Sequence, residues 1–170
     1  MKSRAVQWIS VVVAVGFWST IAAPARAEGD PAALAAAMKD ATGTLQAGIK
    51  ASEREGTPIS AKFEIDDGKL QLSVYTMKGT DFMEVVADPN TGAIAKAEKI
   101  TDADDLKDAA AQKAAMAKTT ASLLDAADTA AKATGTRAVS VYPRLRNGHV
   151  VAEVTILQGT VFKKVIEKLD

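Results

Sequence analysis

One hairpin-bearing segment occurs twice in this chain, 80 residues apart, and the register between the two copies does not slip. Asp67-Gly68-Lys69-Leu70 falls on Asn147-Gly148-His149-Val150, Lys78-Gly79-Thr80 on Gln158-Gly159-Thr160, Phe82 on Phe162 and Val85 on Val165. Upstream, Ala36-Ala37-Met38 matches Ala114-Ala115-Met116, and Leu45 matches Leu123, at an offset two residues smaller. A fixed register through strands with slack in one connection is what a duplicated supersecondary unit leaves behind. The expected fold is α+β: two tandem repeats, each a helical segment followed by a three- to four-stranded antiparallel meander, with the helices packed on one face.

Residues 1–27 stand apart from that fold. Lys2 and Arg4 form a positive start, Ala5 to Ala23 is largely apolar, and Ala25-Arg26-Ala27 supplies the small residues of a cleavage site before Glu28. This pattern predicts a secretory signal peptide and a periplasmic or secreted product. An uncleaved membrane anchor is the rival reading, since the apolar stretch approaches the roughly 18 to 20 residues that span a bilayer; Pro24 and the A-x-A site favour cleavage. With no Cys in the chain, a bacterial lipid anchor is not expected. The domains are then 1–27 as signal, 28–100 as first repeat and 101–170 as second, the latter without a counterpart of the last strand.

Removing the signal takes Lys2, Arg4 and Arg26 from 21 basic residues and leaves 18 against 21 acids, a net charge near −3. No basic stripe exists to follow phosphates, so nucleic acid is not an expected partner. Both tryptophans, Trp8 and Trp18, lie in the signal. About 140 residues can bury a sufficient core without disulfides, but two modules of about 70 would each be marginal alone and should lean on one another.

Within the first repeat, Asp30-Pro31 reads as an N-cap followed by Pro at the first helical position. Apolar or small residues recur at Leu34, Met38, Ala41, Leu45, Ile49 and Ser52. Those steps of three and four describe a helix face. Gly43 lies off the stripe and leaves one helix or two open. Gly56 is expected as a left-handed cap, with Pro58 just beyond. Alternation then predicts strands over 61–65, 70–75 and 81–87, turned at Asp67-Gly68 and Lys78-Gly79, and a shorter one over 94–100 after Asp88-Pro89-Asn90-Thr91-Gly92. In the second repeat a helical half from Thr101 to Gly135 precedes strands over 138–145, 149–157 and 160–168. Pro143 marks the first of these as an edge strand.

A Gly-x-hydrophobic start, a strand ending in Asp-Gly, a Val-Tyr strand and a third strand running into Asp-Pro-x-Thr-Gly together resemble the PepSY domain, from Gly56 to Gly92. The second repeat is similar but lacks the terminal Asp-x-x-Thr-Gly. The resemblance implies a small antiparallel sheet with helices on one face, like the tandem fold of β-lactamase inhibitor proteins. It also implies a loose association with inhibition, since PepSY domains occur in propeptides of secreted metallopeptidases and in many envelope proteins.

The inventory offers no catalytic group, metal site or cofactor site. The one His, His149, adjoins the Asn147-Gly148 turn, and no elbow presents a serine. Asp102, Asp104 and Asp105 fit a helix start better than a calcium loop, whose Gly and distal Glu are missing. Asp88 and Asn90 fit turn chemistry, and Met38 and Met116 fit core filling. What remains is the sheet face turned away from the helices. If Ala61, Phe63, Ile65, Leu70, Leu72 and Val74 point inward, Lys62, Glu64, Gln71, Ser73 and Tyr75 point outward, joined in the second repeat by Tyr142, Arg144 and Glu153. Two tyrosines among mixed charges suit a protein interface. The expected function is therefore binding of another envelope or secreted protein, such as a peptidase that it inhibits, with no enzymatic activity. The alternative is a small-ligand or metal-responsive envelope protein with a pocket between helices and sheet.

Overall fold

The computed structural model describes residues 30–169; the proposed signal, its cleavage site and both tryptophans lie outside them. Two helices come first among the described residues. Asp30 accepts a hydrogen bond from Ala32 N at 2.9 Å and caps α1 (Pro31–Asp40), and Thr44 accepts from Ala47 N and caps α2 (Leu45–Ser52). The break spans Ala41 to Thr44, and within it Gly43 stands where a side chain would not fit. Its N–H donates to Pro89 O at 3.0 Å, and a Cβ there would lie 2.5 Å from the same oxygen.

Gly56 is not the left-handed cap that its position suggests. Helix α2 passes into a single 3-10 turn (Glu53–Glu55), and Gly56 adopts φ 149°, ψ −178°, a region essentially reserved for glycine. A Cβ there would sit 2.6 Å from Met77 O. In the second half, α3 (Ala103–Met116) is capped by Asp102, whose carboxylate accepts from the amides of Asp104 and Asp105, and α4 (Leu123–Thr134) ends on Gly135 in the left-handed region.

Four strands follow the first helical pair, β1 (Thr57–Asp66), β2 (Lys69–Lys78), β3 (Asp81–Ala87) and β4 (Ile94–Lys99), and three follow the second, β5 (Arg137–Arg146), β6 (His149–Gln158) and β7 (Val161–Lys168). They form one antiparallel sheet in the order β4-β3-β2-β1-β5-β6-β7. Asp67-Gly68 and Asn147-Gly148 all have positive φ, as a type I′ hairpin requires. The two meanders meet in a short ladder in which Ala61 faces Val141 and Lys62 faces Ser140.

That ladder corrects the reading of Pro143: β5 is an interior strand between β1 and β6, not an edge. The proline is tolerated because the β1 ladder ends at Val141, so no bond to β1 is asked of its nitrogen. On its other flank Pro143 lies opposite Ala152.

One face of the sheet carries the main core. Ala61, Phe63, Leu72, Val74, Val85, Val141 and Val154 are buried there, against Leu45 and Ile49 of α2 and Leu123, Ala127 and Ala130 of α4. The second correction concerns α3, which lies against the other face and reaches the core only at its end, through Ala115 and Met116. Its Gln112 accepts a hydrogen bond from Ser60 Oγ at 2.6 Å, and Ser60 points away from the core side by strand alternation. Lys113 lies over Phe82, whose side chain also points that way. The helix can lie close because it buries Ala109, Gln112 and Ala115 over a face whose central residues, Ser60 and Ser140, are small and buried.

Candidate functional site

The eight outward residues expected to meet a partner separate into two clusters of different character. On β1 and β2, Lys62 Nζ lies 2.5 Å from Glu64 and over the Tyr75 ring at 5.8 Å. Gln71 donates to Ser73 Oγ at 3.1 Å and to Glu64 at 3.4 Å. This cluster is largely closed. Ser73 has no exposed surface, which removes it as a contact residue, and Lys62, Glu64, Gln71 and Tyr75 are half-buried. Burial holds the Tyr75 phenol far above its usual range, and Glu84 and Glu64 push it the same way. Tyr75 is thus a neutral member of a packed polar patch.

Glu84 belongs to that patch, although the alternation argument passed over it. It faces Tyr75 across the β2–β3 ladder. Burial raises its carboxyl pKa, with Glu64 adding to the effect, while a hydrogen bond from Ser73 and the charge of Lys62 oppose it. The signal was present, since residues 75 and 84 lie at equal distances from the hairpin turn, which the structure places at Gly79-Thr80, one residue beyond the expected Lys78-Gly79. Asp105 of α3 also acts on both Tyr75 and Glu84, which places the start of that helix near the patch.

On β5 to β7 the face is open and basic. Arg144 lies over the Tyr142 ring at 5.8 Å. Glu153 is held by Arg146 and by Lys164, the latter at 3.1 Å. Burial tends to raise the Glu153 carboxyl, but the hydrogen bonds and charges of Lys164 and Arg146 prevail and hold it below its usual value. Arg144, Arg146, Lys164 and Lys168 are exposed around it, as is Ile166 at 42%. Of the predicted contact residues, then, Arg144 is exposed, Tyr142 beside it is half-buried, and the Glu153 side chain is 12% exposed.

Where β1 and β5 part company beyond the Lys62 and Ser140 pair, a cleft of about 220 Å³ opens, lined by Leu34, Phe63, Ile65, Val139 and Phe162 with Glu64 at its side. Among the described residues no group of three or more His, Asp or Glu side chains is arranged to hold a metal. His149 is an exposed residue at the start of β6. Asp88 accepts from the amides of Asn90 and Thr91 and from the Thr91 hydroxyl, and these bonds lower its pKa. No helix among the described residues is long and apolar enough to cross a membrane.

No family model matches the chain, and a search of the curated proteins finds no match either. Among solved structures, the chain is similar to a protein of Clostridium difficile 630 that is classed provisionally as a lipoprotein. The identity is 15%, the TM-score 0.39, and the match covers 71% of this chain and 80% of that one. A likeness at that level supplies no argument about function.

Proposed function

We propose that this is an exported, non-enzymatic protein built from tandem PepSY-like repeats, which binds another envelope protein through the open sheet face of its second half and modulates it, as an inhibitor modulates a peptidase. The observation that carries the reading is the contrast between the two halves of that face. Every predicted contact residue of the β1–β2 half is half-buried or buried, whereas the β5–β7 half exposes Arg144, Lys164, Ile166 and Lys168 beside a half-buried Tyr142. An amphipathic aromatic and an arginine beside an exposed aliphatic residue are the side chains that interfaces favour.

The tandem part of the reading is supported by the centre of the sheet. Ala61 and Val141 are 80 residues apart, the spacing of the repeat, and they face one another. Two equivalent strands related by a local two-fold axis must pair in this way. Register shifts at Pro58/Ser60 and at Ala138/Ser140 keep the same spacing. Export rests on the basic and apolar leader and its cleavage pattern.

The test is recovery of cross-linked partners from the native envelope with wild-type protein and with a Tyr142→Ala/Arg144→Ala variant. The reading expects a single dominant partner that the variant loses while its melting temperature is kept. A partner recovered equally well by both would remove this face from the account.

A second reading, of a small-ligand protein, has two clefts in its favour. The apolar cleft between β1 and β5, at about 220 Å³, is smaller than the roughly 300 to 1,000 Å³ of common ligand sites, whereas a cleft of about 820 Å³ lined by Ile49, Ile59, Met77, Met116 and Leu124 falls within that range. This reading predicts a ligand-dependent rise in melting temperature. A panel of metals, haem and fatty acids that leaves the curve unmoved would dismiss it.

A further inference from the structure

Strand β7 pairs with β6 alone and forms one edge of the sheet, while β4 forms the other. The two edges differ in charge management. On β4, Lys96 is 2.7 Å from Glu98 and Lys99 is 2.8 Å from Asp81, so its cations are neutralised locally. On β7, Lys163, Lys164 and Lys168 are exposed, and Lys164, 3.1 Å from Glu153 of β6, shares that acid with Arg146. Glu167 is the one acid of the strand, so cations remain in excess there, and Val161 and Ile166 are 56% and 42% exposed.

Alternation puts Lys164, Ile166 and Lys168 in one row, on the same face as Tyr142, Arg144 and Arg146. An edge lysine discourages pairing with a like edge. Opposite an acidic side chain it becomes a favourable cross-strand partner. In the first half, β4 lies beside β3 with Ala97 facing Val85 and Lys96 facing Val86. At the repeat spacing these positions correspond to Val165 and Ile166 of β7.

We infer that β7 is a docking edge for an extended acidic segment of another protein, which adds to the sheet as β4 adds to β3 and sets acid-x-apolar-x-acid against Lys164, Ile166 and Lys168. This rests on the tandem, partner-binding reading above and specifies how the partner is held. Main-chain bonds to the edge would supply affinity, and the alternate side chains would supply selectivity. Charge would contribute chiefly to association rate and to rejection of basic strands.

The experiment uses the full mature chain with a capped nine-residue peptide carrying Glu-Thr-Val-Thr-Glu at its centre, and a matched peptide with Lys for Glu. Amide hydrogen exchange along β7 and anisotropy of the labelled peptide are the readouts. The expected result is slowed exchange confined to β7 with the Glu peptide, and none with the Lys peptide. A Lys164→Glu/Lys168→Glu variant should weaken binding by at least about tenfold, as charge pairing across an interface can. Three results would overturn the inference: no slowing of β7 at saturating peptide, slowing elsewhere in the sheet, or slowing that appears without peptide and grows with protein concentration, which would make the occupant a second copy. If β7 is inert to the peptide while Tyr142→Ala/Arg144→Ala still abolishes partner capture, face binding stands and strand addition alone fails.

Discussion

At the scale of single residues, two glycines and two carboxylates carry the sharpest consequences. Gly43 and Gly48 each meet a neighbour where a side chain would go: Pro89 O at 2.5 Å for the first and Leu72 Cδ2 at 2.3 Å for the second. Gly43→Ala is expected to destabilise by on the order of 1–3 kcal/mol, since the obstacle is backbone that is itself hydrogen-bonded. Urea unfolding checks it. Glu84 gives a pH signature. Burial raises its folded pKa, so the folded state holds the proton more tightly than the unfolded chain. That contribution is present at acidic pH and is lost as pH rises through the folded value. Glu84→Gln should therefore raise the melting temperature more at pH 7 than at pH 4. Glu153 has the opposite sign, because its lowered pKa stabilises the fold above the usual carboxylate range and the benefit falls away in acid. Glu153→Gln is expected to lower the melting temperature more at pH 7 than at pH 3.

At the scale of elements, local chemistry was legible in the sequence and placement was not. The turns at Asp67-Gly68 and Asn147-Gly148, the caps at Asp30 and Asp102 and the period of every strand follow from nearest neighbours, and all are found. The side of the sheet on which α3 lies depends instead on contacts between distant residues. An alanine-rich helix has a weak apolar stripe, so its pattern alone did not name its face. The buried Ser60–Gln112 hydrogen bond now gives that placement a test. Gln112→Ala leaves the Ser60 hydroxyl buried without its acceptor and should cost about 1–3 kcal/mol. The Ser60→Ala/Gln112→Leu pair should cost less than the sum of the single changes in a double-mutant cycle. Strict additivity would mean that the two groups do not act together. The same helix bears on the site: it packs against β1 and β5, and Asp105 near its start acts on Tyr75 and Glu84.

At the scale of the whole molecule, the two halves share one sheet through a two-pair ladder and share a core through α2 and α4. Arg137, the first residue of β5, also donates to the carbonyls of Met38, Ala41 and Gly43 and so ties the second half to the first. Neither half of about 70 residues has the burial to stand well alone. Unfolding is therefore expected to be a single transition, with fluorescence of the tyrosines and far-ultraviolet circular dichroism coinciding. Two separated transitions would contradict that coupling. The most direct test of the central claim is photo-cross-linking in the native envelope from a reactive residue placed at Arg144, with a second placed at Lys96 on the opposite edge. The account predicts one dominant adduct from position 144, absent from position 96. Equal adducts from both positions, or none from 144 in protein shown to be folded and exported, would contradict it.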